Sequence, residues 1–144
     1  VIDRLNPMLA TTWESWQVRS VVIGKSFDLI RDNLLGVGIG NFVIDVAYLL
    51  TGYPVWIVEP VHNTFLLVWS EIGIAGFLAF VIFLFSFWKM SKTAPLFLRY
   101  ILIALFVTML FDHGFWDMRQ SQMIMFLIFG LIGAFYANKN FIKS

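Results

Sequence analysis

Three long apolar runs, separated by short polar turns, fill the second half of the chain. They are Ile72 to Trp88 (extendable back to His62), Pro95 to Phe111, and Gln122 to Tyr136. A helix needs about 20 residues to cross about 30 Å of hydrocarbon. Each run reaches that length only with its flanks, or with long side chains that snorkel to the interface. The first half has a different rhythm. Thr11-Thr12-Trp13-Glu14 fits a capping box, with Thr11 as N-cap and Glu14 three residues on. A helix over 13–33 should follow, carrying Trp13, Trp16 and Phe27 on apolar positions. Tryptophans so placed suit a helix that rests at a membrane interface. Gly36, Gly38 and Gly40 end it in a glycine loop over 34–41. A short helix is expected over 42–51. Tyr53-Pro54 and Glu59-Pro60 then make 52–61 irregular.

The pattern predicts an all-α, polytopic membrane fragment with three transmembrane helices and an N-terminal helical extracytoplasmic segment. In residue numbers, 1–62 is that segment and 63–89 the first span. Residues 90–94 form a turn and 95–112 the second span. Residues 113–120 form a loop, 121–137 the third span and 138–144 a tail. Composition agrees: 60% of residues are hydrophobic and only 13% charged, with a mean hydropathy of +0.82. Soluble domains are about a quarter charged. With no cysteine, no disulfide framework or thiol nucleophile is available.

Charge sets an orientation. Lys89, Lys92 and Arg99 mark the first turn, and Lys139 and Lys143 the tail, with no acid in either place. All nine acids lie in residues 1–71 or in the Asp112 to Asp117 loop. The positive-inside rule then puts the Lys92 turn and the C-terminus in the cytoplasm. Residues 1–62 and 113–120 face outward. Val1 begins without the basic flank and apolar core of a signal peptide. The chain reads as the C-terminal piece of a longer membrane protein, or as a processed one.

Candidate chemistry starts at His62, at the mouth of the first span. If a helix runs unbroken from His62, then Trp69, Gly73 and Gly76 all fall within about 40° of it around the axis. One stripe would then carry an imidazole, an aromatic ring and two bare backbone positions. Two readings are open. Either His62 is a base above a groove for a lipid-linked substrate, or it is an interfacial histidine over a small-residue packing face. Glu71 would lie about 180° away on that helix. It is costly against lipid, so it is a catalytic carboxylate, a bond to a neighbouring helix end, or the mark of a helix break. Arg19 offers a planar fork suited to diphosphate oxygens. Arg31, flanked by Asp28 and Asp32, reads as a solvated ion-pair member. Gly36-x-Gly38-x-Gly40 lacks a surrounding βαβ unit and is a turn rather than a phosphate loop. His113 follows Asp112, which could tune its imidazole or share a metal. With two histidines in all, no metal site is expected. No nucleic-acid patch is present.

His62-Asn63, nine residues, then Gly73-x-x-Gly76 resembles the H-[NSQ]-x9-G-x-x-G motif of the O-antigen ligase family of bacterial membrane glycosyltransferases. Arg19-Ser20-Val21-Val22-Ile23 is similar to that family's R-x3-L element, with Ile23 where leucine is usual. The glycine-rich Leu35 to Phe42 resembles the element that follows it, and Phe111 to Trp116 with Gln120 and Gln122 a late outer loop. The resemblance implies transfer of a glycan from undecaprenyl diphosphate to an acceptor hydroxyl, with no metal or other cofactor. It places the chain in the bacterial inner membrane with its active face outward. The implied partners are the undecaprenyl-diphosphate-linked glycan donor, a glycolipid (lipid A-core) or other hydroxyl acceptor, membrane lipid, and N-terminal helices of the same protein. It makes His62 the base and Arg19 the diphosphate ligand. Asn63, Glu71, His113 and Arg31 are candidates for supporting roles, and Gly73 and Gly76 would wall the groove. A polysaccharide polymerase or a protein O-oligosaccharyltransferase of the same family is the first alternative. A non-enzymatic transporter or flippase segment is the second. Three spans cannot enclose a donor lipid, so the fragment alone is expected to be inactive.

Overall fold

The computed structural model describes residues 15–141, and their regular structure is entirely helical. The Thr11 to Glu14 capping box, with Trp13, lies outside the described residues. Six helices follow in order: α1 Ser15–Asp32, α2 Phe42–Leu49, α3 Thr64–Met90, α4 Leu96–Met109, α5 Gly114–Asp117 and α6 Arg119–Phe141. Single 3-10 turns at Val55–Ile57 and Ser91–Thr93 fill two of the connections.

Two hydrophobic cores organise these elements. The first joins Val18, Val22 and Leu29 of α1 to Phe42 and Val46 of α2, and then to Ile57, Val61 and Leu67. Val18, Val22 and Leu29 recur at helical spacing, so one stripe of α1 is buried. Trp16 and Phe27 lie on its exposed side. The second core joins Leu84 of α3 to Leu98, Leu102, Leu105 and Met109 of α4 and to Met125, Phe129 and Ile132 of α6. Phe87 stacks on Phe129 with centroids 4.2 Å apart. The outward faces of α3, α4 and α6 are studded with large exposed apolar side chains, among them Leu78, Ile82, Phe97, Ile101, Ile124 and Leu127.

Three spans are expected from the sequence, and two helices are long and apolar enough to cross a membrane, Thr64–Thr93 and Arg119–Lys139. The middle run forms a helix of only 14 residues, about 21 Å at 1.5 Å per residue. Pro95 holds the extended conformation before it. At the other end Leu110 and Phe111 turn back through 3-10-type bonds to Val107 and Thr108.

α3 is not the continuous helix that the stripe of His62, Trp69, Gly73 and Gly76 assumes. It begins at Thr64, so His62 lies outside it. It is broken at Gly73, whose φ of 67° and ψ of −175° are non-helical. The glycine loop fills the break. Val37 N–H donates to Ser70 O and Gly38 N–H to Glu71 O, both at 2.9 Å, and Ile74 N–H donates to Leu34 O at 3.1 Å. The loop thus takes up two carbonyls and one amide that an unbroken helix would have paired internally. Backbone meets backbone here. A Cβ on Gly73 would lie 2.4 Å from the Leu35 carbonyl carbon, and one on Gly36 would lie 2.4 Å from Glu71 O. Gly73 therefore does not wall a lipid groove; the loop already occupies that space. Gly76 faces the side chain of Ile72, which a Cβ there would meet at 2.6 Å.

Gly73→Ala should accordingly destabilise the protein by more than the roughly 1–3 kcal/mol that its conformation alone costs an L-residue. Gly36→Ala should do the same. Gly24→Ala on α1, where an added Cβ meets nothing, should be neutral or stabilising by up to about 1 kcal/mol. Thermal unfolding of the full-length protein in detergent, followed by loss of helical circular dichroism, compares the three.

Candidate functional site

The polar cluster of interest lies where the two cores meet. At the start of α3, Leu67 belongs to the first core and Phe65 packs on the second. In α5, Trp116 packs on the first and Phe115 on the second. Three hydrogen bonds strap these segments together. Asn63 Nδ2 donates to Leu110 O at 2.9 Å. Thr64 donates twice to Asp112 O, from its N–H at 3.0 Å and its hydroxyl at 2.7 Å. Asn63 Oδ1 meanwhile caps α3 by accepting from Leu66 N–H at 2.9 Å. Both polar ends of Asn63 are thereby committed to holding backbone.

The strap brings His62 against His113. Their ring centroids are 5.2 Å apart, inclined at 54°. Each imidazole also has a carboxylate neighbour. His62 Nε2 lies 3.3 Å from Glu59 Oε1, and His113 Nδ1 lies 2.9 Å from both oxygens of Asp117. A carboxylate only accepts, so in the His113–Asp117 bond it is Nδ1 that carries the hydrogen. No hydrogen bond between His62 and Glu59 is among the described contacts. His113 is buried and His62 about a quarter exposed. The acid that holds His113 is Asp117, not its neighbour Asp112, whose Oδ1 accepts from Gly114 N–H at 3.0 Å. No metal site is expected from two histidines in the sequence, yet the fold gathers both with Asp112, with potential ligand atoms within 4.8 Å of one another.

Glu71 is buried between elements. Its Oε1 accepts from Phe42 N–H at 3.4 Å, at the N-terminus of α2, and its Oε2 from Trp116 Nε1–H at 2.6 Å. The partial positive charge of the α2 N-terminus favours a carboxylate there. Gln122 fastens the same segment through a short bond to Trp116 O. A cleft of about 420 Å³ opens beside Glu71, lined by Gly40, Phe42, Val43, Leu67, Trp116 and Asp117 among others. Asp117 thus faces both this cleft and His113.

No contact between either arginine and this cluster is among the described interactions. Arg31 pairs with Asp32 at 3.2 Å on an exposed face of α1. Arg19 is exposed on the same helix, and no ion pair or hydrogen bond of its guanidinium is among the described contacts. It sits beside Val18, which shares a core with Val61, the residue before His62. Trp69 stacks on Phe77 at 5.0 Å across the helix break, and its buried Nε1 has no hydrogen-bond acceptor among the described residues. An apolar groove does exist, but between α3 and α4, lined by Phe65, Leu84, Trp88, Ile103, Phe106 and Leu110. Glu59 and Asp117 carry no role in the sequence reading, and Trp116 only a place in the outer loop. The signal was the spacing: Glu59 lies three residues before His62 and Asp117 four after His113.

A family model described as O-Antigen ligase matches residues 1–81, more than half of the chain. No curated protein matches it, and no solved structure does.

Trp116→Phe would leave one oxygen of buried Glu71 without its donor, and a loss of about 1–3 kcal/mol is expected. Glu71→Ala, which strands both Phe42 N–H and Trp116 Nε1, should lose more. Melting temperatures of the two full-length variants in detergent give the order.

Proposed function

The chain belongs to the O-antigen ligase family, and from that premise we propose that it forms part of an enzyme that moves a glycan from undecaprenyl diphosphate to an acceptor hydroxyl. Membership already implies membrane-associated glycan transfer of the ligase or polymerase kind. The observation that carries the mechanism is the pair of imidazoles, 5.2 Å apart, each with a carboxylate partner. A base needs a lone pair directed at the proton it removes, and a partner that fixes the tautomer and takes up the charge it gains. Glu59, 3.3 Å from His62 Nε2, is the carboxylate at hand to take up that charge.

In this mechanism His62 Nδ1 takes the proton of the acceptor hydroxyl as its oxygen attacks the sugar's anomeric carbon. The bond to the diphosphate oxygen breaks, and the leaving diphosphate carries away the electron pair. Charge on that group is met by Arg19, whose fork of N–H donors suits two phosphate oxygens at once. No step calls for a metal. The apolar groove between α3 and α4 begins at Phe65 and Leu110, beside the strap that positions His62. A prenyl chain laid there would put its diphosphate at the histidine level. The exposed aromatic and aliphatic side chains around α3, α4 and α6 suit lipid or further helices of the same protein.

We place the histidine cluster at the outer face of the inner membrane. The basic end of α3 supports that orientation: Lys89 lies 4.7 Å over the ring of Phe85, and Arg99 lies 5.2 Å over Trp88. α4 completes a third membrane segment with its flanks, shielded by α3 and α6.

His62→Ala in the full-length protein should lower glycan transfer by about 10²–10⁴-fold, the contribution of a positioned base. Arg19→Ala should abolish attachment as well, with membrane insertion intact in both. Glycan profiles of cells carrying each variant provide the measurement. Normal glycan on both would sink this mechanism and favour a transporter. Polymer length on the lipid carrier separates a ligase from a polymerase.

A further inference from the structure

We propose that His62, His113 and Asp112 form a site for a divalent cation of the zinc class, and that zinc bound there blocks the imidazoles from acting as bases. The site joins two nitrogens and one carboxylate oxygen whose candidate ligand atoms lie within 4.8 Å of one another. Donors of that kind suit zinc, copper or nickel, whereas magnesium and calcium prefer six or more oxygens.

Three features beyond proximity point to a metal. First, Asp117 hydrogen-bonds His113 Nδ1, and Glu59 lies 3.3 Å from His62 Nε2. Metal-binding histidines almost always hand their second nitrogen to such a partner, which turns the remaining lone pair toward the ion. His113 has that arrangement, and a small turn of His62 toward Glu59 would give it a second time. Second, the charge is one-sided. Glu59, Asp112 and Asp117 surround the two rings, and among the described ion pairs none brings a lysine or arginine to any of them. A cation would neutralise that excess. Third, the ligands come from two segments that the Asn63–Thr64 strap already holds together, so little chain entropy remains to be lost on binding.

Some closure is required. Metal–nitrogen distances of about 2.1 Å put tetrahedral ligands about 3.4 Å apart. The movement can come from His62, which is partly exposed and holds Glu59 at a long 3.3 Å. His113 is buried and fixed by Asp117 at 2.9 Å. Water would take the fourth position, on the exposed side where Asp112 lies.

The site stands apart from glycan transfer, because its readout is binding, whereas the block rests on the proposed role of His62. Full-length protein in detergent, stripped with a chelator, is titrated with zinc chloride by calorimetry in excess magnesium. One zinc should be lost from the stoichiometry in His62→Ala. His113→Gln should weaken binding at least tenfold, and Asp117→Asn, which keeps all three ligands, by about 10–100-fold. Zinc should also raise the melting temperature of the unaltered protein, and not that of His62→Ala. No zinc uptake, uptake equal in all the variants, or displacement by magnesium would each overturn the site. If transfer proceeds as proposed, zinc inhibits it reversibly; zinc binding without inhibition would leave the site standing and remove His62 from the chemistry.

Discussion

The helix break at Gly73 is the constraint to which the rest of the fold is fitted. An apolar helix can lose its internal hydrogen bonds only if protein supplies replacements, since hydrocarbon supplies none. The replacements come from the backbone of the preceding glycine loop, and they require contact so close that no side chain fits on either surface. Gly36 and Gly73 form one joint made of two bare backbones, which anchors α1 and its loop against α3. Glu71, two residues before the break, reaches the start of α2 and the indole of Trp116. One short stretch of α3 thereby ties the first core to the last loop.

That joint decides where the polar chemistry can be. With α3 bent and the segment after α4 strapped to its beginning, the two imidazoles meet at the seam between two apolar cores. His113 is buried there, and Asp117 fixes which of its nitrogens is available. A proton acceptor and a metal ligand need the same thing, a directed lone pair. The same geometry therefore serves either, and the two uses exclude each other.

The helical character of the chain and the positions of its turns were legible in the sequence, because apolar periodicity and Gly or Pro breakers are local signals. The glycine loop at 34–41 and the short helix after it are examples. The partner of the glycine loop was not legible: a left-handed glycine at position 73 looks, in a linear pattern, like half of a small-residue packing face. Glu71 gave the clue, since a carboxylate opposite His62 on an unbroken apolar helix has nowhere to go. Asn63 hid its role because its two bonds serve backbone groups, one of them 47 residues away. His62 and His113 are 51 positions apart, and nothing in the spacing of either foretells that their rings share one small volume. The length of the middle helix was hidden for a simpler reason. Pro95 and the 3-10 turns at Leu110 trim an apolar run at both ends, and apolarity alone does not fix helix length.

The Asn63–Thr64 strap also fixes the order in which this region can mature during synthesis. Its acceptors at Leu110 and Asp112 leave the ribosome after all of α3 has done so. Until then the first turn of α3 has its own cap but no clasp, and His62 has only Glu59 beside it. The second imidazole arrives with the returning chain, in the same step that closes the clasp. A chain that ends before Asp112 thus lacks the acceptors of the clasp and the second imidazole alike.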